Sequence, residues 1–341
     1  MVETTIAAPG WCVDRCACDD ARMQRLSIAV LVAAVGALVL GAGQAHATWS
    51  IVGVDPETGE VGVAVASCVG FEVTVVPVLV PGIGAAASQA DLSRGSGDRL
   101  VDALESQVAA REVIDAVVAA DDRPEDRQFG AVVIDGGGAA WTGADNLAVA
   151  TDRRNADATG SAQGNILVSD EVVADAIAAF DASDGELADR LVAGLLAGAD
   201  AGGDSRCGEQ TATAAALLVA TPNEAVYAHT DSLLGVDPET TPVPSVFVSV
   251  LVNRDGDRAP DRLAEAWATA DHDASSIVIR QIDDGADTGA RRLEVVATVV
   301  LVLLAALVIG VVIAAVVVWR RRRAARSAHD PDGSGSATPS R

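Results

Sequence analysis

Lysine is missing from all 341 residues, so every permanent side-chain cation is an arginine. That absence removes the phosphate-gripping lysine of a P-loop, and Gly136-Gly137-Gly138 therefore reads as a turn between strands. Histidine is scarce as well. His46, His229, His272 and His329 show no metal-ligand spacing, which argues against a zinc centre. Positive charge as a whole is short, with 24 basic residues against 48 acidic ones and a formal net charge of −24. A surface of that sign disfavours nucleic acid and anionic lipid as partners of the folded part, and it reads as a solvated acidic shell. Asn253-Arg254-Asp255-Gly256-Asp257 resembles an acidic calcium loop but is too short and has no closing glutamate, so it too reads as a turn. No metal and no cofactor are expected.

Two long apolar runs frame the chain. Arg22 and Arg25 precede residues 26–43, and Ala45-His46-Ala47 follows, which is the order of a secretory leader with an A-x-A cleavage site. The distance from Met23 suits such a leader, which makes Met23 the expected start and residues 1–22 an untranslated extension. The second run, residues 295–319, carries no charge and is followed by Arg320 to Arg323. Its length and the arginine cluster predict a transmembrane helix over 293–319 with the tail 320–341 in the cytoplasm. The two segments together predict a single-pass type I protein of the cell membrane, with a folded domain over 48–275, a stem over 276–292, and the bilayer as a partner of the C-terminal helix. That domain is large enough for one proper core.

Cysteine adds little catalytic promise. Cys12, Cys16 and Cys18 fall in the extension and form a poor zinc pattern. Cys68 and Cys207 remain, as a disulfide suited to an exported chain or as two unrelated buried thiols.

Cleavage after Ala47 would make Thr48 the first residue. A terminal threonine carries a hydroxyl nucleophile and, on the same residue, an α-amine able to act as its base. Periodicity places that residue at the start of a sheet. Residues 49–54 and 60–67 are β-rich runs joined by Asp55-Pro56-Glu57-Thr58-Gly59, a hairpin signal. Strands are predicted over 73–80 and 83–90, broken by Pro81-Gly82, then helices over 97–109 and 112–120. Strands follow at 129–134 and 139–142. A second helix pair is predicted over 171–181 and 186–197, capped by Ser169-Asp170 and Ser183-Asp184. The remainder reads as strands over 211–220, 225–229 and 245–252 and a helix over 260–270. Strands and helix pairs in this order suit an α+β sandwich of two stacked sheets with helices outside.

The motifs Thr48-Trp49-Ser50-Ile51-Val52, Asp55 to Ser67, Ala87-Ser88-Gln89-Ala90, Arg127-Gln128-Phe129-Gly130-Ala131-Val132, Trp141-Thr142-Gly143, Gln163-Gly164-Asn165-Ile166-Leu167 and Ala201-Gly202-Gly203-Asp204 resemble those of the DUF1028 family. They keep their order from Thr48 to about residue 219. The resemblance implies an N-terminal nucleophile (Ntn) hydrolase fold, the four-layer αββα sandwich of proteasome subunits, whose members often assemble into homo-oligomers. It implies no particular substrate.

The expected activity is hydrolysis of an amide or peptide bond, with Thr48 as nucleophile and Gln89, Asn165 and Ser67 as further site residues. Proteasome-like enzymes add a lysine beside the nucleophile, and this chain has none. The alternative is a binding or interaction module of the cell envelope that keeps the sandwich without its chemistry. Asp55 is expected to open the hairpin turn.

Overall fold

The computed structural model describes residues 47–93, 95–228, 238–239, 241–254 and 256–283, with isolated positions 310, 314 and 320. The first hairpin pairs β1 (Thr48–Asp55) with β2 (Glu60–Ser67), from Thr48 opposite Ser67 to Asp55 opposite Glu60. Asp55 Oδ1 accepts the N–H groups of Glu57 and Thr58, an Asx turn that closes the hairpin. The next run divides, because residues 73–75 form a 3₁₀ turn and only β3 (Pro77–Val80) is extended. β4 (Gly84–Ala90), α1 (Ser96–Glu105), α2 (Ala110–Ala120), β5 (Arg127–Val133) and β6 (Gly137–Thr142) follow.

Two strands absent from the sequence reading come next, β7 (Thr151–Arg154) and β8 (Gly160–Asn165). Gly160-Ser161-Ala162-Gln163-Gly164-Asn165 has no β-branched or aromatic residue, so propensity gave no signal. Pairing with β1 on one side and β7 on the other makes it a strand nonetheless. α3 (Glu171–Ala182) and α4 (Leu187–Asp200) then pack as a pair. Their expected side-chain caps are not formed. Asp170 makes no cap bond, and α4 starts after Glu186 rather than at Ser183-Asp184. β9 (Ala214–Ala220), β10 (Tyr227–Ala228), β11 (Val246–Leu251), α5 (Ala259–Ala268) and β12 (Ile277–Ile282) complete the fold.

β12 lies inside the stretch read as a stem. It runs parallel to β11 at the sheet edge, where Arg280 grips the buried Glu72 with Nε at 2.9 Å and Nη2 at 2.7 Å.

The strands form a seven-stranded sheet, β12-β11-β9-β2-β1-β8-β7, and a five-stranded sheet, β10-β3-β4-β5-β6. Alternation along β1 explains the layering. Trp49 and Ile51 face α3 and α4, with Leu191, Leu195 and Phe180. Val52 and Val54 face the other sheet, with Leu79, Ala85 and Val132. A third cluster joins α1 and α2 to the outer face of the five-stranded sheet through Leu100, Leu104, Val113, Ile114, Val117 and Phe129. The order is therefore helices, sheet, sheet, helices. Gly53 serves this packing, because a Cβ there would lie 2.8 Å from the Phe180 ring.

The transmembrane helix expected over 293–319, and with it the single-pass type I localisation, requires correction. Among the described residues no helix is long and apolar enough to cross a membrane. Among the described helices α4 is the longest at 14 residues, and at ~1.5 Å per residue it falls short of a hydrocarbon core of roughly 30 Å. Its apolar side is also already buried against the sheet. Residues 293–319 lie outside the described residues apart from 310 and 314, as do the expected leader before Ala47 and the tail beyond 320. The described fold class is α+β, with two sheets and five helices and no spanning helix.

An ion cluster pins the strand ends that carry Gln89 and Gln128. The fully buried Asp121 carboxylate accepts Arg99 Nη2 at 2.9 Å and Arg127 Nε at 3.4 Å, and Arg127 Nη1 also reaches Asp91 at 2.9 Å. Burial alone would raise the Asp121 carboxyl, but the Arg123 N–H and the guanidinium groups of Arg127 and Arg99 outweigh it and hold it below the usual carboxylate range. A depressed folded pKa contributes stability above the unfolded pKa, near 3.9, and that contribution is lost as pH falls through the folded value. Asp121→Asn should therefore cost about 3 kcal/mol at pH 7 and flatten the acid limb of the urea-midpoint profile below about pH 4. An unchanged acid limb would remove Asp121 from this role.

Candidate active site

The layer between the sheets turns polar at the start of β1 and, toward the β11–β12 edge, at Ser249 and the buried Glu72. The inward row of β1 runs Thr48, Ser50, Val52, Val54, so the polar pair comes first. The inward rows of β2, β4, β5 and β8 converge there with Ser67, Gln89, Gln128 and the trio Ser161, Gln163 and Asn165. All are 2% exposed or less, Thr48 included. Two-residue alternation puts each on the same face as the valines and alanines that fill the rest of the layer.

These amides satisfy one another. Ser50 Oγ donates to Gln89 Oε1 at 2.7 Å, and Gln163 Nε2 donates to Ser50 Oγ at 2.6 Å. Gln89 Nε2 donates to Gln128 Oε1 at 2.8 Å and reaches the Thr48 carbonyl at 3.3 Å. Asn165 Nδ2 donates to the same Gln128 oxygen at 3.1 Å. Gln128 Nε2 donates to the Gly164 carbonyl at 2.9 Å and to Thr142 Oγ1 at 3.0 Å. A buried network of this kind is stable only if nearly every member is paired, and it fixes the position of Thr48 by doing so. Asn165 Oδ1 is the exception, buried without a hydrogen-bond partner.

Thr48 lies between Ser67 of β2 and Asn165 of β8 in the sheet register. Its Oγ1 donates to Ser67 Oγ at 3.2 Å, and Ser67 Oγ donates in turn to the carbonyl oxygen of Ala47. Arg206 Nη2 donates to that same carbonyl at 3.1 Å. Asp204, wholly buried, holds Arg206 through Nε at 3.1 Å and Nη2 at 2.7 Å, and accepts the Cys68 N–H at 2.7 Å. Cys68 and Cys207 are bridged, S–S 1.99 Å. The bridge joins the neighbour of Ser67 to the neighbour of Arg206, so it ties together the two donors on the Ala47 carbonyl.

Backbone strain gathers at this end. Ala90 has φ +73°, Ile166 φ +55° and Thr211 φ +59°. The first two directly follow Gln89 and Asn165. A β-branched residue at positive φ persists only where surrounding structure enforces it, and such strain concentrates at functional sites.

Gly130 makes the network's close packing measurable. A Cβ there would lie 2.0 Å from Gln163 Oε1. Gly130→Ala should displace Gln163, break its bonds to Ser50 and Ser161, and lower stability by about 2–3 kcal/mol in urea unfolding. A change below about 0.5 kcal/mol would mean that Gln163 is not held as described.

The structure thus brings together Thr48, Ser67, Gln89 and Asn165. Sequence reasoning left out Ser50, Gln128, Gln163, Asp204 and Arg206. Gln128 carried a signal, because it ends the inward row of a predicted strand that is otherwise Gly130 and Val132, whereas Gln163 carried none, its strand having no β-branched or aromatic residue. Arg206 carried none until the disulfide located it.

A crevice beside Thr48, bordered by Ser67, Val69, Val75, Val76 and Leu92, holds about 10 Å³, room for one water. A far larger open groove of about 840 Å³ borders Cys207, but its Arg258 pairs with Asp261 and its Arg262 with Asp257, and no hydroxyl or free thiol lines it. Among the described residues no group of three or more His, Cys, Asp or Glu is placed to hold a metal.

A model of a family of unknown function, DUF1028, matches residues 48–246. The chain belongs to the DUF1028 family. A crystal structure of a family member, protein SPO2555 from Silicibacter pomeroyi, is similar with a TM-score of 0.52 and 25% identity, over 66% of this chain and 91% of that one. No curated protein matches the chain. The DUF1028 match begins at Thr48, the residue on which the polar end of the sandwich converges.

Proposed function

We propose that this DUF1028 protein is an Ntn-type hydrolase of an amide or peptide bond, with Thr48 as the nucleophile once cleavage after Ala47 makes it the first residue. The observation that carries this reading is the position of Thr48, first in β1, paired on both sides and linked through Ser67 to the carbonyl of Ala47.

The chemistry needs no lysine. The α-amine, with an ordinary pKa near 7.7–8.0, takes the Thr48 hydroxyl proton as Oγ1 attacks the acyl carbon. The carbonyl π pair moves to oxygen. Collapse returns it, expels the amine with the proton from the α-ammonium, and leaves an ester on Thr48. Water, deprotonated by the same amine, then hydrolyses the ester to a carboxylate and restores the hydroxyl. Asn165 Oδ1 suits the processed state, because a buried acceptor with no partner stands directly across from the residue that gains an α-ammonium. Gln89 acts on the Thr48 backbone, through its bond to the Thr48 carbonyl, as a positioning residue.

One observation favours the other reading, a binding module without chemistry: the crevice at Thr48 admits a water and nothing larger. Ala47 is still attached to Thr48 and fully buried, and the hydrolase reading requires its removal. N-terminal sequencing of the protein from its native source separates the two. Thr48 as the first residue is the expected result. Ser50, or a retained leader, would overturn the hydrolase reading.

A further inference from the structure

Ala47 stands where the acyl part of a substrate would stand. Its carbonyl carbon is bonded to the nitrogen of Thr48 and so lies next to the hydroxyl that the hydrolase reading makes a nucleophile. Two side chains already grip its oxygen, Ser67 through Oγ and Arg206 through Nη2 at 3.1 Å. We propose that, after Ala47 departs, Ser67 and Arg206 bind the carbonyl oxygen of the substrate and hold the negative charge that forms on it. This assignment rests on the Thr48 reading and adds to it the groups that stabilise the transition state.

Three features preorganise the pair. Asp204, fully buried, fixes the guanidinium with two hydrogen bonds and also accepts the Arg206 N–H at 2.9 Å. The same carboxylate accepts the N–H of Cys68, the residue after Ser67. The Cys68–Cys207 bridge then closes the frame from the other side. Donors held this way need no reorganisation as charge develops, which is where such groups contribute most.

The geometry also selects a substrate class. Asp204 neutralises the Arg206 charge, so the pair offers hydrogen bonds without a net positive field and suits an uncharged acyl group better than a carboxylate. Val69, Val75, Val76 and Leu92 line the adjoining crevice, and they suit an apolar acyl side. The substrate is therefore inferred to be a neutral amide with a small apolar acyl part.

In the step itself, Thr48 Oγ1 forms the new C–O bond and its proton passes to the α-amine. The C=O π pair becomes the oxyanion held by Ser67 Oγ–H and Arg206 Nη2–H, and it reforms the double bond as the leaving group departs.

The test uses p-nitrophenyl butyrate with protein processed to Thr48, following nitrophenol release. Wild type should show an acylation burst that Thr48→Ala lacks. Ser67→Ala should slow acylation by about 100- to 1,000-fold and Arg206→Lys by at least about 10-fold, since an ammonium cannot keep both the Asp204 fork and the oxygen contact. Alkylation of the terminal amine by iodoacetamide, a displacement that makes no carbonyl oxyanion, should stay within about 2-fold in both variants, a difference too small for a lost transition-state contact. Should Arg206→Lys fail to fold on a thermal melt, Ser67→Ala decides alone. A Thr48-dependent burst at unchanged rate in the folded variants overturns the oxygen-binding assignment and leaves the Thr48 reading standing. Absence of any Thr48-dependent burst in wild type overturns both.

Discussion

Thr48→Ala should lower amide hydrolysis by at least about 10⁴-fold while leaving the fold in place. The size of the effect follows from the chemistry, because removing a nucleophile removes the covalent path and leaves only binding and oxyanion contacts to act on water. The hydrogen bond from the threonine hydroxyl to Ser67 is worth about 1 kcal/mol, a loss that a domain with this much buried core tolerates. The strand pairing of residue 48 with Ser67 and Asn165 is made by backbone and persists in alanine. Thr48→Ser keeps both hydroxyl and α-amine, and it should retain activity within about two orders of magnitude, well above the alanine variant. Hydrolysis of an aryl amide, read beside a thermal melt of each variant, checks all three. Activity in Thr48→Ala equal to wild type would place the chemistry elsewhere.

The second large effect concerns the disulfide. Cys68 and Cys207 are separated by 139 positions. In the loop-entropy model a closure of that length stabilises by up to about 5 kcal/mol, with measured bridges spanning roughly 2–5. Cys68→Ser with Cys207→Ser should therefore lower the unfolding free energy by that range, read from urea midpoints at constant m-value. Function should suffer beyond what stability explains. The bridge ties the residue after Ser67 to the residue after Arg206, so its loss frees the two groups that hold the Ala47 oxygen. At a temperature where the double variant is still folded, acylation should fall by at least about 10-fold, as expected when transition-state donors lose their fixed positions. A variant that is destabilised yet acylates at the wild-type rate would make the bridge purely a staple.

Alternation and turn chemistry carried much of the fold. The Asp55-Pro56-Glu57-Thr58-Gly59 hairpin and the helices around Leu100, Val113, Val173 and Leu191 stand where their apolar spacing places them. What period and propensity could not reach was β8. Its glycines and glutamine make a poor strand in isolation, and its neighbours on both sides force the extended form. β12 escaped for a different reason, as an edge strand anchored by Arg280 on a glutamate more than 200 positions away. The cation on the Ala47 carbonyl belongs to the same class. Nothing local to Ser205-Arg206-Cys207 marks it, and only the closure of a long loop brings it to Thr48. For the apolar run at 295–319, length and the arginine cluster after it suggested a spanning helix, and among the described residues no helix is long and apolar enough to cross a membrane.

The central claim is that a terminal Thr48 forms the covalent intermediate. Mass-spectrometric mapping of protein quenched during the p-nitrophenyl butyrate burst tests it most directly. One butyryl group is expected, on the N-terminal peptide that begins with Thr48, and none in Thr48→Ala. A butyryl group on any other residue, or a burst with Thr48 unmodified, would contradict it.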